Sequence, residues 1–171
     1  LLNAALRVVC NVSHNIEGND VVLNQGTMEV VCSMALDASK SRGKETARLF
    51  SGALKAMTIT EAGKKRVARD DDAVTLITRL VSSEDEFTKA NAVCCIQLAS
   101  EFPLARKKFV HGLLNSSIEN LELVFEARCM KELTKIMLSE DSSLDFKASA
   151  LTAFSKLCKK ESGIKEATQC V

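Results

Sequence analysis

The chain has 171 residues, of which 46% are apolar and 26% are charged, and its formal net charge is +1. This apolar content supports one domain with a hydrophobic core and disfavours disorder, while the balanced charge disfavours a strongly basic nucleic-acid binder. There is no Trp or Tyr and a single Pro, which disfavours an all-β sandwich, and no apolar run approaches the roughly 18 residues of a membrane span.

Four long helices are predicted, each with an apolar stripe at offsets of three and four residues. In chain order they cover residues 3–13, 45–57, 87–100 and 145–159. The pattern repeats with shifts of 45, 42 and 58 residues, so that Val9 corresponds to Leu54, Ile96 and Phe154. Gly18 likewise corresponds to Gly63 and, in the last unit, to a glycine at 163. The last shift is longer than the other two. The additional residues lie near 113–123 and predict a looped insertion or an extra helical turn there.

A short and then a medium helix are predicted between successive long helices. The short helix is exemplified by residues 62–68, and the medium helices cover 27–38, 73–81 and 129–138. Polar breaks follow at 39–43, at 83–86 and at 142–145. Ser83 and Glu86 have the spacing of a capping box, in which the hydroxyl accepts from the first turn and the carboxylate reaches back. Thr58 to Glu61 offers the same pattern before a short helix, and 142–145 is a looser version.

Three helices per unit at a period near 42 residues resembles the armadillo repeat. The resemblance is carried by Gly26, which stands where the family has a Gly between its first two helices. It is also carried by Ala5-Leu6 with Asn11-Val12-Ser13, which is similar to the family's Ala-Leu…Asn-Leu-Ser third helix. The segment at 126–130 resembles the junction around Gly26, with Arg128 in place of the Gly. HEAT repeats, a neighbouring family, remain open.

The resemblance implies an all-α fold, a right-handed α-solenoid of armadillo-like three-helix repeats. The expected division is a partial repeat at 1–25, repeats at 26–68, 69–110 and 111–163, and a partial repeat at 164–171. We therefore expect the chain to be part of a longer protein. Such repeats stack, and exposed repeat ends favour weak self-association. The end residues expected to take part are Leu1, Leu2, Leu6, Ile164, Ala167 and Val171.

The function implied by the resemblance is a non-enzymatic scaffold that binds a peptide or partner protein along the solenoid surface. Importin-alpha-like members carry a Trp and, four residues later, an Asn on the third helix. The matching pairs here are Arg7 and Asn11, Gly52 and Ala56, Cys94 and Leu98, and Thr152 and Lys156. Only Asn11 agrees, so the ladder that reads nuclear localisation signals is missing. The groove candidates on the third helices are Asn3, Arg7, Asn11, Arg48, Asn91 and Lys156.

Two basic clusters lie 42 residues apart, at the same place in successive units. We call them the basic patch: Lys64, Lys65, Arg66, Arg106, Lys107 and Lys108. Both clusters are expected on the short helix, where six cations could dock an acidic partner or phosphate groups. The alternative is a solvated face, and the acidic run at 70–72 would partly cancel its field. Nucleic acid is disfavoured, since no aromatic residues interleave with the cations.

The sequence predicts no catalytic residue, metal site, cofactor or small-molecule substrate. His14 and His111 each stand without a Cys or carboxylate at metal spacing. The seven cysteines are scattered without a CxxC pair, which is typical of reduced core residues. Cys94 and Cys95 are adjacent in a helix, so one is expected in the core and the other toward the groove. These features favour a cytoplasmic protein, with the nucleus also open.

Two alternative functions remain from the sequence. One is a co-chaperone of the UCS myosin-chaperone type, which also looks like an armadillo solenoid. The other is a regulatory armadillo segment of a larger enzyme. No residue in the chain selects between these and the scaffold.

Overall fold

The computed structural model describes residues 1–37, 43–111 and 128–159, and within these ranges the chain is all helical, with short connections and no strand. The all-α class is therefore confirmed. The helices of the described ranges are α1 (Leu2–Val12), α2 (Ile16–Asn24), α3 (Thr27–Leu36), α4 (Lys44–Thr58), α5 (Glu61–Arg69), α6 (Asp71–Leu80), α7 (Glu86–Ala99), α8 (Pro103–His111), α9 (Arg128–Leu138) and α10 (Leu144–Leu157). We call α1, α4, α7 and α10 the long helices, α3, α6 and α9 the medium helices, and α2, α5 and α8 the short helices.

The helix limits agree with the apolar periodicity to within two residues, and the corrections concern caps. Helix α6 begins two residues earlier than expected because the Asp70 carboxylate accepts from the backbone N–H groups of Asp72 and Ala73. The capping box at Ser83 is wrong. The N-cap of α7 is Asp85, which accepts from Thr88 N, while the Ser83 hydroxyl accepts from Asp85 N in the preceding turn.

Two other caps are shifted in the same way. The short helix α5 is capped by Thr60 rather than Thr58, and α10 is capped by Ser143 rather than Ser142. The expected insertion near 113–123 and the break at 39–42 lie outside the described residues. So do Ile164, Ala167 and Val171.

The helices pack in the order in which the units follow along the chain. Helix α1 packs on α4, α4 on α7 and α7 on α10, so that the long helices form one row. In the same way α3 packs on α6, and α2 on α5, which packs on α8. One apolar core runs through these contacts and takes side chains from every helix in the described ranges, from Leu6 in α1 to Leu157 in α10. The contacts of each unit are thus made with its neighbours in sequence. The division into numbered repeats stays a prediction.

A glycine stands at the third position of two short helices because the chain turns there against the end of the preceding long helix. A Cβ on Gly18 would lie 2.2 Å from the carbonyl oxygen of Val12, and a Cβ on Gly63 would lie 1.7 Å from that of Met57. No side chain fits at either distance. This close approach gives a physical reason for the Gly18–Gly63 correspondence seen in the sequence.

Gly26 has a different role, at the junction between α2 and α3. Its φ of 68° lies in the left-handed region, which a glycine adopts at little cost. This is the glycine on which the resemblance rests. The corresponding junction before α9 was expected at 126–130; Arg128, which stands in place of the glycine, is the first residue of α9, and 126–127 lie outside the described residues.

A buried asparagine ties the end of one unit to the start of the next. Asn19 is fully buried in α2, and its amide nitrogen donates to the carbonyl oxygens of Ser13 (3.1 Å) and Ala56 (2.8 Å). Its side-chain oxygen accepts from the hydroxyl of Thr60 at 3.0 Å. One side chain therefore satisfies polar groups at the ends of α1 and α4 and at the cap of α5.

Candidate interaction surfaces

The groove candidates all lie on the row of long helices, and most of them connect neighbouring helices of that row. Between α1 and α4, the Arg7 guanidinium contacts the Glu45 carboxylate at 2.7 Å, and the Asn3 side-chain oxygen accepts from Thr46 at 3.0 Å. Arg7 and Glu45 are both exposed. Exposed pairs of this kind contribute about 0–1 kcal/mol, so Arg7 can exchange its partner for a ligand at small cost.

Arg48 is held more firmly, between α4 and α7. Its guanidinium makes a two-pronged contact with the Asp85 carboxylate, with nitrogen–oxygen distances of 2.7 to 3.0 Å. Lys44 reaches the same carboxylate at 3.1 Å. Asp85 also caps α7, and only 8% of its surface is exposed. Arg48 therefore acts first as a link between two long helices.

Because of the contacts of Asp85, the free energy of unfolding depends on pH in the acid range. Hydrogen bonds from Arg48, with those from Thr88 and Lys44, hold the pKa of the Asp85 carboxyl well below its usual range. The unfolded chain, with an Asp pKa of about 3.9, therefore takes up this proton first as the pH falls. The stabilisation is complete above that unfolded pKa and is lost progressively below it.

We expect Asp85→Asn to lower the urea midpoint at neutral pH and to flatten the loss of stability on acidification. The amide keeps the shape of the carboxyl but does not titrate, and it leaves Arg48 without its counter-ion. Arg48→Gln is the companion variant, since it removes the ion pair and leaves the cap. Urea unfolding at a series of acid pH values measures both. If the stability of Asp85→Asn falls with decreasing pH as steeply as that of the wild type, Asp85 is not the source of the acid dependence.

Asn91 was expected in the groove and is instead buried between helices. Only 4% of its surface is exposed, and its amide nitrogen donates to the Ser51 hydroxyl at 3.1 Å across the α4–α7 contact. Ser51, the residue opposite, is small and leaves room for the Asn91 amide between α4 and α7. Asn91 is therefore not open to a ligand in this conformation.

Lys156 links α10 to the end of α7. Its ammonium group donates to the Gln97 carbonyl oxygen at 3.0 Å and to the Glu101 carboxylate at 3.1 Å. The other oxygen of Glu101 accepts from Lys64 on α5. The hydrogen bond from Lys64, with that from Lys156, lowers the pKa of Glu101. Glu101, which the sequence pattern did not single out, thus joins the groove candidates to the basic patch.

Asn11 is a groove candidate that is exposed to solvent. Its side chain is exposed on α1, one turn beyond Arg7. The same position is occupied by buried Ala56 in α4 and by half-buried Leu98 in α7. The row is therefore polar at α1 and small or apolar in its middle, where Gly52 and Cys94 are half-buried.

The two basic clusters lie on α5 and α8, which pack on each other, as expected from their spacing. Acidic side chains are placed among the cations. Lys64 contacts Glu101, Arg66 contacts Glu29, and Lys108 contacts Asp71 at 2.6 Å. The six cations therefore do not form an uninterrupted positive field.

The remaining cations of the patch differ in exposure. Lys65 is exposed, 3.8 Å from Glu61 and 5.9 Å from the Phe102 ring centre. Arg106 donates to the carbonyl oxygens of Ser100 (2.8 Å) and Glu101 (3.2 Å). Lys107 is exposed, and no carboxylate of the described part of the chain lies within salt-bridge distance of it. Lys65 and Lys107 are thus the cations best placed to meet a partner.

Burial raises the pKa of five cysteine thiols and leaves them with little nucleophilic character, namely Cys10, Cys32, Cys94, Cys95 and Cys129. Cys95 is buried and Cys94 half-buried, which is the division expected for adjacent helical residues. Burial raises the pKa of both Cys95 and Cys129 to about 12, so both remain thiols at neutral pH. Cys170 lies outside the described ranges.

His14 is exposed, and its Nδ1 lies 2.5 Å from the Cys10 carbonyl oxygen. Within residues 1–37, 43–111 and 128–159, no group of three His, Cys, Asp or Glu side chains is arranged to hold a metal ion. No helix in these ranges combines the length and the apolar character needed to cross a membrane.

No known family model matches the chain, and no curated protein matches it either. The class of protein is therefore inferred from the packing of the described helices and from the resemblance in sequence.

Proposed function

We propose that the chain forms a right-handed, armadillo-like α-solenoid and acts as a non-enzymatic scaffold that binds an extended peptide or a partner protein. The observation that supports this proposal is the unbroken row of long helices from α1 to α10, accompanied by contacts of α3 with α6, of α2 with α5 and of α5 with α8. Units that pack on their sequence neighbours in this way build a long surface instead of a closed core with one deep cavity.

The row of long helices is the proposed binding surface. An exposed Arg7 and Asn11 stand at one end, and Lys156 stands at the other. Between them the row is small or apolar, with buried Ala56 in α4 and half-buried Cys94 and Leu98 in α7. The chemistry fits an extended segment with small or apolar side chains at its centre.

The test is selection of peptides from a random display library by the purified chain, followed by affinity measurements on the selected peptides. The double variant Arg7→Ala/Asn11→Ala should weaken binding about tenfold, as expected for the loss of one or two hydrogen bonds. The matched control is Lys131→Ala/Lys135→Ala, which removes two exposed side chains at the same spacing from α9. Binding that both double variants reduce equally, or that neither reduces, would contradict the groove. Suppression of the aggregation of an unfolded client, without a selected peptide, would favour the co-chaperone.

A separate prediction concerns the basic patch. If Lys65 and Lys107 only face solvent, the double variant Lys65→Glu/Lys107→Glu should bind the selected peptides within a factor of about two of the wild type at low salt. This is the result we expect, because the neighbouring cations are already paired with carboxylates. A loss of binding that is steep at low salt and disappears at high salt would instead assign the partner to the patch.

A further inference from the structure

Lys55 is a cation in the interior of the row of long helices, and it has no carboxylate partner in the described ranges. It is half-buried in α4, one turn beyond Gly52. Helix α4 packs on α1 at one side and on α7 at the other, so Lys55 is flanked by a long helix on each side. No carboxylate of the described residues lies within salt-bridge distance of its ammonium group.

Other cations of the row differ from Lys55 in this respect. Arg48 lies two turns earlier on the same face of α4, and it contacts Asp85, the N-cap of α7, at 2.7 Å. Arg7 contacts Glu45 across the α1–α4 boundary, also at 2.7 Å. The neighbouring helix thus supplies a counter-ion to each of these arginines and supplies none to Lys55.

Contacts around Gly52 show which side chains stand near Lys55 instead. A Cβ on Gly52 would lie 3.7 Å from the sulfur of Cys10 in α1 and 4.0 Å from the amide nitrogen of Asn91 in α7. Lys55 and Cys94 each follow one turn later, on α4 and on α7. The two therefore lie at the same level of the row.

The thiols of both neighbouring helices stay neutral beside this charge. Burial raises the pKa of Cys10, Cys94 and Cys95, and the Lys55 ammonium opposes that rise in all three without cancelling it. The positive charge is thus close enough to act on α1 and on α7. Because the three side chains remain thiols at neutral pH, none of them compensates the charge of Lys55.

We propose that Lys55 binds the side-chain carboxylate of an aspartate or glutamate in the peptide that lies along the row. This inference rests on the proposed function and adds the charge that the peptide must carry. A half-buried ammonium is less hydrated than an exposed one, so pairing it with a carboxylate gains more than pairing at the surface. The row continues on both sides of α4, so the peptide backbone can pass Lys55 in both directions and present a side chain there.

The test selects binders from a synthetic library of random peptides whose carboxyl termini are amidated, so that any carboxylate belongs to a side chain. We expect one position enriched in Asp or Glu. Replacing that residue by its amide should weaken binding about tenfold, as for the loss of a hydrogen bond to a charged group. Lys55→Met keeps an apolar stem without the charge and should weaken binding of the acidic peptide by the same factor. The two changes together should cost no more than either one alone.

Lys131→Met is the matched control, since it removes one exposed lysine from α9, outside the row of long helices. It should leave binding within a factor of about two of the wild type. Lys55→Met should also keep the urea midpoint of the wild type, because Lys55 has no ion pair in the described ranges to lose. Lys55→Glu supplies the converse experiment, since it should prefer the peptide in which lysine replaces the acidic residue.

The outcomes separate this inference from the groove itself. Selected peptides without an enriched acidic position would overturn the role of Lys55 and leave the groove standing, whereas selection of no peptide would overturn both. Unchanged binding by Lys55→Met would show that its ammonium only faces solvent. Equal losses in Lys55→Met and Lys131→Met would show that the net charge of the chain, and not a contact with Lys55, attracts the acidic peptide.

Discussion

Replacing Gly63 with Ala is expected to lower the free energy of unfolding by about 3 kcal/mol, the upper part of the range for overpacked sites. The new Cβ would lie 1.7 Å from the Met57 carbonyl oxygen and 2.8 Å from its carbon. Both are backbone atoms, so no side chain can rotate to make room, and the junction between α4 and α5 must open. Urea unfolding should show a lower midpoint with an unchanged slope.

Gly52→Ala is the matched control, since Gly52 is the other glycine of this region and lies within α4. The nearest atoms to its Cβ would be the sulfur of Cys10 at 3.7 Å and the amide nitrogen of Asn91 at 4.0 Å, both at ordinary contact distance. Removing a glycine from a helix interior should stabilise the protein by about 0.5–1 kcal/mol. The two glycine variants should therefore move in opposite directions. If both are tolerated, the close approach at Gly63 is not a feature of the molecule in solution.

Replacing Asn19 with Ala is expected to cost about 2–4 kcal/mol, because the hydrogen bonds of several buried groups are lost at once. The Ser13 carbonyl oxygen would lose its amide donor, that of Ala56 would keep only the Ile59 N–H, and the Thr60 hydroxyl would lose its acceptor. Asn19→Asp should be worse still, since it turns a carboxylate oxygen toward two carbonyl oxygens in a buried site. Thermal or urea unfolding of both variants measures these costs.

The control for Asn19 is Asn24→Ala, the same substitution at an exposed position at the end of the same helix. Its effect should stay within about 0.5 kcal/mol. If both variants lose a similar amount of stability, helix propensity rather than the buried hydrogen bonds explains the effect of Asn19→Ala. A stabilised Asn19→Asp would refute the orientation of the amide.

The helices were predictable because each long, medium and short segment carries its own apolar period, which depends on residues only three or four apart. The correspondence of Gly18 with Gly63 was visible for the same reason. The side-chain partners were not predictable. Asp85 was expected only as a residue within a cap, and it is also the counter-ion of Arg48, 37 residues away in the chain.

The candidate site illustrates the same limit. Asn91 and Asn11 are both polar residues on long helices, yet one is buried against Ser51 and the other is exposed. Which of them faces solvent depends on the residue opposite, and that residue belongs to the neighbouring unit. Glu101 was missed for a related reason, since it follows α7 in a connection and gains its role only from Lys64 and Lys156. Periodicity within one segment carries no information about such pairs.

The ion pairs between units have one more property, which is their nearly constant separation along the chain. The pairs of Arg48 with Asp85, Lys64 with Glu101 and Arg66 with Glu29 each join residues 37 apart, and Arg7 with Glu45 joins residues 38 apart. Each pair therefore closes a loop of the same length, and loops of equal length cost the same conformational entropy.

No unit of this part of the chain is thus favoured by topology to fold first. The pair of Lys156 with Glu101 spans 55 residues, but the logarithmic dependence of closure entropy on length makes it only about 0.4 kcal/mol costlier. Folding can begin at whichever unit has the most favourable local packing and spread to either neighbour, with each step closing a loop of similar size.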